Sequence, residues 1–164
     1  MGTAFNADEV LEMALEIERN GANFYRRAAE LQQHAHSKAM LLELAAMEDD
    51  HYKSFSEMRA SLTEEERKET TYDPHGELPL YLRAMADKNV FDTQADPSQK
   101  LTGKESMADV LRFAIGMEKD SVVFYLGLQD VVPARLGGGR IKEILKEEMG
   151  HIATLGELLR CAQA

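Results

Sequence analysis

Glu18, Tyr25, Glu48 and His51 are matched one hundred positions on by Glu118, Tyr125, Glu148 and His151, the same residue types at the same internal spacing. A single Glu-x-x-His pair carries little weight in a Glu-rich chain with five histidines. Four residues repeated in register carry much more. They imply two copies of one unit whose polar side chains meet at a common point, and carboxylate with imidazole at such a point is metal-binding chemistry.

The units are helical by period. A first helix is expected from about Ala7, behind an Asn6 and Glu9 capping box, to about Gln33. A short polar link with His34, His36 and Ser37 leads to a second helix ending near Ala60. A third runs from near Ser106 to just before Pro133, and a turn over Leu136 to Gly139 leads to a fourth that ends near Cys161. Both links are short, so each pair forms an antiparallel hairpin, over about 7–60 and 106–162. At 164 residues the whole fits one domain.

Between the hairpins lies a crossover of about 61–105, with Pro74, Pro79, Pro97 and a short helix expected over Leu80 to Lys88. The dozen helical residues from Glu48 to Ala60, and the dozen from Ser106 to Glu118, each span roughly 18 Å at ~1.5 Å per residue. If Glu48 and Glu118 share a level, the chain must travel back along the bundle between them. The expected fold is therefore all-α, a ferritin-like four-helix bundle with a long crossover between helices 2 and 3.

In the second helix, positions 41, 44, 48, 51, 55, 58 and 62 follow a seven-residue repeat and read Leu, Leu, Glu, His, Phe, Met, Leu. The fourth helix repeats the pattern at 141, 144, 148, 151, 155, 158 and 162, again with Glu and His inside an apolar seam. Leu11, Ala14, Glu18, Gly21, Tyr25 and Ala28 share a face of the first helix, and Leu111, Ala114, Glu118, Ser121, Tyr125 and Leu128 share one of the third. Small residues flank both glutamates and leave space beside them.

Glu48 with His51, at i and i+3, can chelate one side of a centre, and Glu148 with His151 the other, with Glu18 and Glu118 completing it. Four buried carboxylates left unpaired would each cost on the order of several kcal/mol or would have to protonate. Two divalent ions cancel the four charges, the arrangement of di-iron and di-manganese carboxylate bundles. Tyr25 and Tyr125 stand two turns beyond their glutamates, and a buried phenol needs a partner. Each is expected to donate to a ligand carboxylate and fix its orientation.

Through Glu-x6-Tyr in the first and third helices and Glu-x-x-His in the second and fourth, the chain resembles the rubrerythrin branch of the ferritin-like superfamily over most of its length outside the crossover. The resemblance implies that Glu18, Glu48, His51, Glu118, Glu148 and His151 hold two iron ions, with Glu48 and Glu148 as bridges, and that peroxide or dioxygen is the oxidant. Manganese or zinc would suit the same oxygen and imidazole ligands in place of iron. Rubrerythrins usually carry a further glutamate one turn after the third-helix ligand, where this chain has Ser121. Asp120, next to it, is turned about 100° around the helix. Rubrerythrins also commonly carry a rubredoxin module, which a chain with Cys161 as its single cysteine cannot build. Electrons would come from a separate donor protein.

The net charge of −10 opposes binding to nucleic acid or to anionic membranes, and no stretch approaches the ~18 apolar residues of a spanning helix. A reducing, cytoplasmic setting is expected. The run Val122 to Leu128 is apolar all round the third helix, so the part not facing the seam is expected to be covered by the crossover or by a second subunit in a homodimer. His34, His36 and His75 are read as solvated, and Thr63 with Glu66 as a capping box. The leading function is an oxidoreductase reacting with peroxide or dioxygen. The alternatives are a non-enzymatic iron-binding or storage module, loaded by ferroxidation, and a helical scaffold holding structural zinc.

Overall fold

A computed structural model describes residues 6–68, 96–137 and 139–163. Helix α1 (Ala7–Glu30) opens on a capping box: Glu9 N–H donates to the Asn6 side chain and Asn6 N–H to the Glu9 carboxylate, both at 3.0 Å. It closes three residues before the expected end, because Gln32 N–H turns back to the Ala29 carbonyl at 3.2 Å. Helix α2 (Ala35–Ala60) starts at once, with the His34 carbonyl taking its first helical bond from Lys38 N–H at 2.9 Å. His36 and Ser37 therefore belong to α2 and not to the link.

Helix α3 (Met107–Val131) is capped by Ser106, whose side chain accepts from Asp109 N–H at 3.2 Å. Pro133 stops it and seeds a single helical turn, α4 (Ala134–Gly137), in place of the expected turn from Leu136: Leu136 and Gly137 both donate to the Pro133 carbonyl. Helix α5 (Arg140–Gln163) runs two residues beyond Cys161. A 3₁₀ turn at Pro97–Lys100, capped by Asp96, precedes α3. Among the described residues there is no strand, so the fold is all-α. The expected helix over Leu80 to Lys88, and His75, lie outside the described residues.

Cross-helix partners give the directions. Arg26 meets Asp49 and Arg59 meets Asp8, so α1 and α2 are antiparallel. Tyr25 meets Glu118 and Tyr125 meets Glu18, so α1 and α3 are antiparallel too. It follows that α2 and α3 run the same way, and the chain between them must return along the bundle. Its two ends show this. Leu62 packs with Ala7 and Val10 at one end, and Leu101 with Ala28 and Ala29 at the other.

Two apolar clusters result, one built around Leu11, Phe55, Phe124 and Ile144, the other around Phe24, Leu41, Leu111 and Leu155. The tyrosines are divided between them, Tyr125 in the first and Tyr25 in the second. The buried polar residues lie at the level between the clusters. Of the apolar run in α3, Phe124, Tyr125 and Leu128 are buried, while Val123 and Leu126 are exposed. No helix among the described residues is long and apolar enough to cross a membrane.

Candidate metal centre

Every seam position of α2 from Leu41 to Met58 is buried, as is Leu62 just past its end, and Glu48 and His51 are buried with them, at 4% and 1% exposure. Glu148 and His151 occupy the matching places in α5, at 0% and 2%. Glu18 of α1 and Glu118 of α3 reach the same level, at 0% and 3%. The structure thus brings all six residues together. They form two overlapping donor sets, Glu18, Glu48, His51 and Glu148 in one and Glu48, Glu118, Glu148 and His151 in the other, with one donor atom of each residue within 4.8 Å of the rest of its set. Glu48 and Glu148 belong to both.

The donors aim at shared space more than at one another. His51 Nδ1 lies 2.9 Å from Glu148 Oε1 and 3.4 Å from Glu18 Oε2. His151 Nδ1 lies 3.2 Å from Glu148 Oε2, 3.3 Å from Glu48 Oε1 and 3.4 Å from Glu118 Oε1. Despite these approaches, both Nδ1 atoms, both Glu148 oxygens, Glu18 Oε2 and Glu48 Oε1 are buried without an aligned hydrogen bond. Short distances without alignment mean that lone pairs converge on a common point, as a cation requires. The imidazoles face each other across it, ring centres 5.7 Å apart and 19° from parallel. Buried polar atoms left this way are costly, and oxygen with imidazole nitrogen suits iron, manganese or zinc. The residues present fit a pair of divalent ions.

The tyrosines act crosswise. Tyr25 Oη donates to Glu118 Oε1, and Tyr125 Oη to Glu18 Oε1. Each glutamate of α1 and α3 is thus held by the tyrosine of the other helix, two turns from that helix's own glutamate. Burial, and after it the surrounding carboxylates, push both phenols well above their usual range, so they keep their protons and remain donors. Space beside Glu48 is supplied by Gly21, where an added Cβ would lie 3.3 Å from Glu48 Cγ, Cδ and Oε2.

Crowding of charge shapes the metal-free state. Burial pushes Glu18 and Glu48 well above the usual carboxylate range; the charge of Glu18 adds to this at Glu48, while at Glu18 a hydrogen bond with Glu48 works against it. Burial likewise raises Glu118 to about 7. For Glu148, burial and Glu48 oppose ionisation, but the two imidazoles overcome them and hold it below that range. Burial disfavours charge on His151, yet Glu118, Glu148 and Glu48 push it up to about 12. Protons do in part what cations would do, so metal loading has to displace them.

Sequence reasoning missed three residues beside the centre. His51 Nε2, turned away from it, lies 2.7 Å from Glu147 Oε2, and Glu147 Oε1 accepts from Arg140 Nη1 at 3.1 Å. Arg140 Nε in turn donates to Ser54 Oγ at 3.2 Å. No repeated motif marks these positions. His34 and His36 are exposed at the start of α2.

No protein-family model matches the sequence, and no curated protein does. Among solved structures, one from Thermotoga maritima, described as a ferritin-like diiron-carboxylate protein, is similar with a TM-score of 0.77. The two are 25% identical, and the similarity covers 98% of each chain. The chain thus has the fold of a ferritin-like helical bundle, and its buried Glu and His cluster is a candidate di-metal site.

Proposed function

We propose that this protein is a rubrerythrin-like di-iron oxidoreductase, with peroxide or dioxygen as oxidant. The observation that carries the reading is the pair of donor sets sharing Glu48 and Glu148, with their inward atoms buried and unpartnered. Glu18 and His51 would hold one ion, Glu118 and His151 the other, and Glu48 and Glu148 both. When bound, a ferrous pair supplies one electron from each ion to the oxidant.

The chain's own residues do the rest. Tyr25 and Tyr125 hold one oxygen each of Glu118 and Glu18, leaving these carboxylates a single orientation. The apolar clusters at either end restrict water to what the helices admit. Cys161, the single cysteine, cannot build a rubredoxin-type centre, so repeated turnover draws electrons from a separate donor protein.

Anaerobic ferrous titration of the metal-free protein tests the centre, and a peroxide pulse followed in the near ultraviolet tests its reaction. Two irons per chain with a new ferric band are expected. One iron or none, with no band, would remove the reading. Ser121, buried one turn after Glu118 where rubrerythrins usually have glutamate, favours a second reading: iron binding or storage loaded by ferroxidation. Many equivalents of peroxide consumed per site with a donor present mark the enzyme, and a single burst marks storage. A homodimer through the face of α3 that exposes Leu126 belongs to the same proposal. A monomer in sedimentation at micromolar concentration would remove it.

A further inference from the structure

The internal repeat fails where the two imidazoles turn away from the centre. Behind His51 stand Glu147, Arg140 and Ser54, joined in the chain of hydrogen bonds given above. One hundred positions away, their counterparts behind His151 are Met47, Met40 and Thr154. With Glu43 and Glu147, these three line a pocket of about 260 Å³ against His151. Methionine sulfur is at best a weak acceptor, and His151 Nε2 is buried with no hydrogen-bond partner among the described residues. One imidazole is therefore held from behind by an anchored carboxylate, and the other is not.

For a metal-binding histidine this difference matters. An acceptor on Nε2 keeps the proton there, which leaves the Nδ1 lone pair free for a cation, fixes the ring and raises its basicity. Glu147 is itself held by Arg140, so the acceptor is in place before any metal arrives. No described side chain does this for His151: Glu43 and Glu147 line the pocket beside it, but neither is hydrogen-bonded to its Nε2. To bind through Nδ1 it must keep a buried N–H without a protein acceptor, or share it with exchangeable solvent from the pocket.

We propose that the two metal positions are inequivalent by construction: Glu147 is a positioning residue that makes the Glu18 and His51 position the tighter site for a divalent cation, while the Glu118 and His151 position is the weaker and more exchangeable. This rests on the di-metal reading of the centre. The difference decides which ion loads first and which is lost first.

The test is an anaerobic titration of the full metal-free chain with ferrous ion against a chromophoric chelator, resolving two stepwise affinities. Two cations repel, so stepwise constants separate even for identical positions, and the variants decide. Glu147→Met copies the His151 side onto the His51 side. It is expected to weaken the first step by about 10-fold or more, within the range of about 10–100-fold for losing such a partner, and to leave the second step in place. Glu147→Gln, which keeps an acceptor without the charge, should fall between. Met47→Glu is expected to tighten the second step alone. Unchanged melting of the metal-free variants shows that folding is not what moved.

Two irons bound with neither step altered by Glu147→Met, or with both weakened alike, would overturn the inequivalence while the di-metal centre stood. No iron bound by the parent chain would remove the centre and the inference with it.

Discussion

Gly21→Ala should make the metal-free protein more stable and the metal-bound centre weaker. Gly21 sits inside α1, where glycine costs about 0.5–1 kcal/mol relative to alanine. Against this gain stands a Cβ placed 3.3 Å from three atoms of Glu48. Carbon contacts are comfortable at about 3.5–4.0 Å, so Glu48 has to give by a few tenths of an ångström. Without metal it can, because the crowded atoms are the end of a flexible side chain. With its oxygens committed to cations it cannot, and the strain falls on binding.

The net expectation for the metal-free chain is a gain of about 0.5 kcal/mol, or roughly 1–2 °C in melting temperature for a domain of this size. The affinity for ferrous ion should fall about 10-fold, equivalent to ~1.4 kcal/mol. Calorimetry of the metal-free chain and competition against a chelator measure the two quantities. Ser121→Ala is the control, since α3 already carries a side chain at the matching place. A metal-free protein that loses stability while affinity is unchanged would refute the reasoning, because the space at Gly21 would then serve packing of the helices and not the carboxylate.

Tyr25→Phe and Tyr125→Phe each leave a buried carboxyl oxygen without its donor, and each should cost about 1–3 kcal/mol in denaturant unfolding and shift the redox behaviour of the loaded centre. Unchanged metal affinity and redox behaviour in both would remove the orienting role. Loading at one hundred times the dissociation constant should stabilise the parent by about 2.7 kcal/mol, and Glu148→Ala should lose most of that gain in a melting comparison with and without metal. Asp8, held below its usual range chiefly by the hydrogen bond from Arg59, has a depressed folded-state pKa. Its contribution, about 1 kcal/mol for a partly solvated pair, is present above its unfolded value of 3.8 and lost as pH falls through the folded value. The stability difference between parent and Asp8→Asn should therefore shrink in acid below about pH 4.

The helices and the clustering of the Glu and His residues were legible because they rest on periodicity. Glu48, His51, Glu148 and His151 interrupt apolar seams at matched positions, and a buried charge in a seam needs a reason that only a few chemistries supply. The direction of the crossover followed from placing Glu48 and Glu118 at one level. The link between α1 and α2 was misjudged because its bounds depend on single backbone bonds, Gln32 to Ala29 and Lys38 to His34, which polar residues such as His36 and Ser37 do not announce. The crossed pairing of the tyrosines was equally hidden. Spacing along one helix places Tyr25 two turns from Glu18, but only the antiparallel packing of α1 on α3 shows that its hydroxyl reaches Glu118.

Glu147 was invisible for a different reason. A search for repeats finds what the two halves share, and Glu147 is where they differ. The places of agreement and difference have a physical logic. In the proposed loaded state, each of the buried Glu18, Glu48, Glu118 and Glu148 would carry one of four charges that two divalent ions balance. Losing one leaves an uncompensated buried charge, at a cost on the order of 3–5 kcal/mol. The Glu147 side chain is 36% exposed, in surroundings where water screens charge, and a change there costs far less. The halves are therefore held alike at the centre by electrostatics and are free to differ one layer out. That layer is where two ions with the same ligands can be given different affinities.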